Sequence, residues 1–122
     1  IFEKAGFTNA RNIIKINKEH IINSKTLQLF DNKITFDNSQ FNDEIYLGIR
    51  PEDISLRDDH EIHINVEIDL IENLGFEKIY YAKILEEQII IKSSDTFSKK
   101  SLKISFSKDK VLFFDKHKNR IR

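Results

Sequence analysis

The chain has 122 residues, with 20 Lys or Arg balanced by 20 Asp or Glu and no cysteine. That length fits one ordinary domain or two very small ones sharing a core, and the missing cysteines exclude a disulfide framework, a thiolate metal site and a cysteine nucleophile. No apolar run approaches the roughly 18 residues of a membrane-spanning helix, and the first residues lack the layout of a signal peptide, so the expectation is a soluble, cytoplasmic chain.

In chain order the pattern is strand after strand. The opening "IFEKAGFTNA", residues 1–10, lacks strand periodicity and reads as the trailing edge of something that precedes it. Strands are expected at Asn12–Ile16, Thr26–Phe30, Lys33–Phe36 and Glu44–Arg50, each rich in Ile, Phe or Tyr and bounded by Asn, Asp or Ser. Asp31-Asn32 supplies residues that tolerate the left-handed conformations of a tight hairpin turn. "LGIRPEDISL", Leu47–Leu56, holds Gly48 and Pro51, the chain's one proline, beside Arg50, Glu52 and Asp53. Proline opens a turn there, with both acids near its positive end, so one or two helical turns are expected over Pro51–Leu56.

The polar run Arg57-Asp58-Asp59-His60 marks a boundary between two halves, residues 11–57 and 58–122. After it, "EIHINVEIDL" alternates Ile62, Ile64, Val66, Ile68 and Leu70 with polar neighbours, the period of two that a strand with one buried face requires. The alternation slips at Leu70–Ile71, which predicts a bulge, and Asn73 and Gly75 follow with turn chemistry. "KIYYAKIL", "QIIIK", "SLKISFS" and "KVLFF" complete the series at intervals of about ten residues, the rhythm of an all-β sandwich or small barrel.

Charge is unevenly spread. From Asp37 to Glu77 twelve acids face only Arg50 and Arg57, whereas from Thr96 to Arg122 nine Lys or Arg face Asp109 and Asp115. The basic third raises nucleic-acid binding; the simpler expectation is that acidic and basic strands lie side by side or meet across a dimer.

Candidate chemistry is thin. With glycine only at 6, 48 and 75, there is no phosphate-binding loop, dinucleotide fingerprint or nucleophile elbow. Glu67 and Asp69 fall on the polar face of a strand, where solvation explains them. His60 and His63 are weak metal candidates, since in an extended strand they point to opposite faces. A base-stacking platform for single strands would draw on Tyr80 or Tyr81 with Phe106 or Phe113, but ten phenylalanines are more simply the core.

"LGIRPEDISL" resembles the signature in the C-terminal regulatory domain of ATP-binding cassette importer ATPases of the maltose and glycerol-phosphate type, an OB-like, TOBE-type domain. "VEIDLIENLGFEKIYYAKI", Val66–Ile84, is similar to that domain's long strand, Leu-Gly corner and return strand, and "KVLFFDKHKNRI", Lys110–Ile121, resembles its closing strand. "NARNII", Asn9–Ile14, stands where the family has a Met-Asn-Phe-like segment, Lys118-Asn119 where it often has Gly, and "IFEK" is similar to the end of its ATPase domain.

The resemblance implies an OB-like small β-barrel that does no chemistry, with residues 58–122 closing it. It holds no cofactor or metal itself, while the parent chain would use ATP and Mg. The implied partners are a second copy of the subunit, the parent's ATPase domain, the importer's membrane subunits indirectly and, in some members, a regulatory protein, with no nucleic acid. The implied location is the cytoplasmic face of the membrane. The structural or interface positions are then Gly48, Arg50, Pro51, Glu52, Asp53, Leu74, Gly75, Phe114 and Asp115, with Arg50 offering its fork to an acid in the segment or on a neighbouring chain. Two rivals remain: a small-ligand or oxyanion sensor of a polyamine, iron or molybdate importer, and a single-stranded nucleic-acid-binding barrel.

Overall fold

A computed structural model describes residues 11–37, 41 and 43–121. The fold is all-β: eleven strands among the described residues, with three short 3-10 turns between them. The strands are β1 (Asn12–Ile16), β2 (Ile21–Asn23), β3 (Thr26–Leu29), β4 (Asn32–Thr35), β5 (Ile45–Ile49), β6 (Ile62–Asn73), β7 (Lys78–Ile84), β8 (Glu87–Ser93), β9 (Ser101–Phe106), β10 (Leu112–Phe114) and β11 (Arg120–Ile121). The expected placement of residues 1–10 lies outside the described residues.

Three antiparallel sheets form, ordered β1-β5-β10-β11, β2-β3-β4 and β8-β7-β6-β9, and they do not close into a barrel. The first sheet takes β1 and β5 from before residue 58 and β10 and β11 from after it. The expected barrel is open because side chains replace strand ladders where one sheet meets the next. Asn12, wholly buried at the end of β1, donates from Nδ2 to the Ile90 carbonyl (2.7 Å) and accepts the Ile90 amide on Oδ1 (2.6 Å). This joins β1 to the free edge of β8. Asn32 does the same for His63 in β6, donating to its carbonyl at 2.7 Å and accepting its amide at 3.3 Å. Each asparagine satisfies two backbone groups that a neighbouring strand would otherwise have to pair.

The Asn32 clamp also moves the hairpin expected at Asp31-Asn32. Leu29 pairs with Asn32, so the two-residue turn is Phe30-Asp31, and Asn32 starts β4. The bulky Phe30 therefore takes the left-handed conformation (φ 57°).

The long strand β6 is shared. Its first part, Ile62–Glu67, pairs with β9, and its last part, from Ile68 to Asn73, pairs with β7. A register shift between Ile68 and Leu70 ends the alternation, slightly earlier than the slip at Leu70–Ile71 suggests. Before it Ile62, Ile64, Val66 and Ile68 are buried; after it Leu70 and Ile71 are exposed. Between the sheets lies one core, including Leu47, Ile49, Ile62, Ile89, Ile91 and Ile104. An edge-to-face trio, Phe36–Phe113 at 4.7 Å, Phe41–Phe113 at 4.8 Å and Phe36–Phe41 at 6.0 Å, ties the loop after β4 to the first sheet.

Candidate functional site

β5 runs through the first sheet between β1 and β10, and Gly48 stands between Ile13 and Leu112. Directly opposed residues share a face, so Gly48 leaves that face to the half-buried side chains of Ile13 and Leu112. Arg50 is extended (φ −74°, ψ 146°), as a residue before proline must be, and Pro51 opens a single 3-10 turn, Pro51–Asp53, closed by the Asp53 amide on the Arg50 carbonyl (3.0 Å). The turn is shorter than the one or two turns expected over Pro51–Leu56, because Ile54 and Leu56 leave it to enter the core.

Ser55, between them, pairs with Ser105 of β9 through two backbone hydrogen bonds, 2.7 and 3.0 Å. The stretch thus leaves the first sheet at Ile49 and is anchored on the third within six residues. Pro51 is buried, Asp53 half-buried, and Arg50 and Glu52 exposed. Arg50 makes no ion pair among the described residues, so the expected contact with an acid inside its own segment is not formed.

The next segment is pinned by hydrogen bonds to β9 and its exit. The Ser105 hydroxyl donates to the Arg57 carbonyl, accepts the Asp59 amide (3.2 Å) and lies 3.0 Å from Asp59 Oδ1. Glu61 Oε1 accepts the Lys108 amide at 2.8 Å and the Ser107 hydroxyl at 3.3 Å, at the start of the 3-10 turn Lys108–Lys110. Both carboxyls are held below the usual carboxylate range, Asp59 chiefly by the Ser55 hydroxyl and Glu61 chiefly by the Lys108 amide. Arg57 reaches Asp95 (3.3 Å) with its guanidinium 5.3 Å from the Phe97 ring centre. Tyr80, fully buried, donates to the Asp95 carbonyl (2.7 Å) and accepts the Phe97 amide (3.2 Å). Sequence reading missed this cluster: its members come from three separate segments, and no local pattern joins them.

At the far end of β6, Leu74, Gly75 and Phe76 form the turn into β7. The Leu74 amide reaches the Glu77 carbonyl (2.9 Å), and Asn73 Oδ1 accepts the Gly75 amide (2.9 Å). Gly75 sits at φ 91° with open space where a Cβ would be, so conformation rather than crowding calls for glycine. Phe114 is buried in β10. Asp115 nucleates the last turn, its Oδ1 accepting the amides of His117 (2.8 Å) and Asn119 (2.9 Å), and Lys118 takes φ 69°, the conformation a glycine would adopt easily.

Among the described residues two ion pairs, Lys116–Asp43 and Lys103–Asp58, join the acidic stretch to the basic third within the chain, and Lys15 and Lys18 of the first segment add two more. Lys116 lies 3.9 Å and Lys18 3.6 Å from Asp43, Lys15 3.2 Å from Glu44, and Lys103 3.9 Å from Asp58. Asp43 is held below its ordinary value, first by the Glu44 amide and then by the two lysines. An open groove of about 470 Å³ runs beside these groups, lined by Asp43, Glu44, Asp115, Lys116 and His117 among others.

His60 Nε2 is 3.6 Å from Asp59, and His63 lies inside β6 with its backbone held by Asn32. No group of three or more His, Cys, Asp or Glu side chains converges among the described residues. Tyr80, Phe106 and Phe113, three of the four aromatics considered for a stacking platform, are buried, and the half-buried Tyr81 donates its hydroxyl to Glu72.

No protein-family model matches the chain, and no curated protein matches it.

Proposed function

We propose that the chain is a non-catalytic regulatory and dimerisation domain belonging to the ATP-binding subunit of an importer for a sugar or sugar phosphate. The reading rests on one observation above the others. "LGIRPEDISL", whose composition suits an active-site loop, spends its specialists on a handover between sheets: Gly48 in the middle of β5, Pro51 in a buried turn, and Ile54 and Leu56 in the core. Charged groups near it are committed to hydrogen bonds and ion pairs that fasten segments, as with Asp59, Glu61 and Arg57. A chain built this way contributes rigidity and surface to a larger machine.

A thermal-shift screen with sugars, sugar phosphates, polyamines and molybdate, paired with a low-salt titration of single-stranded DNA, tests this function. The reading expects no saturable stabilisation by any of them. Saturable stabilisation by a polyamine or by molybdate would assign a ligand sensor instead, and salt-sensitive DNA binding would assign a nucleic-acid module.

A further inference from the structure

Among the described residues the outer half of β6 is left open on one side. β9 accompanies β6 only along Ile62–Glu67, with a last bond from the Ile68 amide to the Lys100 carbonyl (2.6 Å). Beyond that point, Leu70–Asn73 pairs with β7 alone, and its other row of backbone groups has no partner among the described residues. Open strand edges of monomers are ordinarily guarded by charge, proline or a covering loop. Here Asp69 and Glu72 bring charge to the strand, Glu72 taken by the Tyr81 hydroxyl, yet Leu70, Ile71, Leu74 and Phe76 are 57, 37, 53 and 87 % exposed. They form the main run of exposed large hydrophobic side chains in the described chain, with Ile22 and Phe30 exposed singly elsewhere.

Beside the edge is a groove of about 290 Å³. Ile68, Asp69, Leu70 and Ile71 of β6 line it together with Ser98, Lys99 and Lys100. Neither lysine is in an ion pair among the described residues, and neither is Glu77 at the end of the turn. One stretch of chain therefore carries an apolar, acid-ended tip and, next to it, a groove of apolar side chains in which two lysines outnumber one acid, Asp69.

We infer that this edge and turn are the docking surface for a second copy of the same chain. The inference rests on the dimerisation reading above and names the surface that performs it. Antiparallel pairing of Leu70–Asn73 with its own copy about a two-fold axis completes both open edges at once. Because the strands run in opposite directions, the partner's turn comes back alongside residues 68 and 69, over the groove. Its apolar tip then covers Ile68, Leu70 and Ile71, and its acid reaches Lys99 and Lys100. The two-fold axis repeats each contact, so the association closes at two copies. A foreign protein with a basic-rimmed pocket would cover the tip but leave the groove and its lysines without a role.

Sedimentation equilibrium of the chain over a concentration series tests this. A reversible monomer–dimer equilibrium is expected. Replacing Leu74 and Phe76 together by Ser is expected to weaken the dimer at least about tenfold, the scale of a buried aromatic anchor, without lowering the urea midpoint, since both side chains lie outside the core. Glu77→Lys and Lys100→Glu are each expected to weaken association, and the double variant to recover part of the loss. A chain that stays monomeric at its highest soluble concentration overturns the proposal. A dimer indifferent to all these variants also overturns this surface while leaving dimerisation itself standing, and the ligand and DNA titrations bear on function independently of either result.

Discussion

Asn12 and Ile90 are joined as a strand pair is joined, by one donated and one accepted hydrogen bond, although one partner is a side chain. Through that contact the sheet built on β5 meets the sheet built on β7, and Asn32 repeats the device on His63 for the small sheet. Asn12→Leu would leave the Ile90 amide and carbonyl without partners at a half-buried position, at about 1–3 kcal/mol for each group. A loss of about 3 kcal/mol is expected in urea unfolding; a loss under about 1 kcal/mol would mean the two sheets are held together by packing alone.

Phe30 gives a prediction of opposite sign. It is 49 % exposed at φ 57°, so its ring gains little from burial while its backbone occupies a conformation that costs an ordinary residue about 1–2 kcal/mol. Phe30→Asn, which tolerates that conformation, is expected to stabilise the chain by about 0.5–1 kcal/mol, read as a raised melting temperature. Gly75→Ala at φ 91° is expected to cost about 1 kcal/mol, through strain and not through collision.

The joint itself predicts a contrast between neighbours. Arg50 is exposed without an ion pair among the described residues, whereas Ile54 is 3 % exposed in the core. Arg50→Ala is expected to change stability by less than about 0.5 kcal/mol, and Ile54→Ala to lower it by about 2–4 kcal/mol. Comparable losses from both would show that the arginine holds the joint through a contact outside the described residues.

Acid should loosen the seam between Asp59–Glu61 and β9. Both carboxyls have folded values below their unfolded values near about 4. Their contribution is therefore fully present above the unfolded value and is lost as pH falls through the folded one. Stability followed from pH 6 downward is expected to decline less steeply for the double variant Asp59→Asn, Glu61→Gln than for the parent chain; an identical decline would assign the acid sensitivity to other groups.

How much of this was legible in the sequence depends on the range of the interaction. β1 was readable to the residue from its three isoleucines and the asparagines that bound them, although the alternating burial, with Asn12 inside, was not. The bulge in β6 was visible as a slip in period, within two residues of its position. β2 and β11 were not legible: three and two residues are too few to show a period, and they exist because a neighbouring strand offers an edge. The turn at Phe30-Asp31 was misplaced because Asn32 has turn chemistry but a long-range use, 31 residues away on His63. The open barrel has the same cause, since nothing local marks Asn12 as the partner of a residue 78 positions on. At the candidate site, Pro51 and Gly48 announced a joint, while Arg57, Asp95 and Phe97 became a cluster only once β9 and the loop before it were in place.

The proposed function is tested most directly by the reading frame that runs upstream of the codon for Ile1. This frame is expected to continue without a stop into a Gly-x-x-x-x-Gly-Lys-[Ser/Thr] phosphate-binding loop followed by the remaining motifs of a transport ATPase. An upstream frame that begins just before Ile1, or encodes a protein with no such loop, would contradict it.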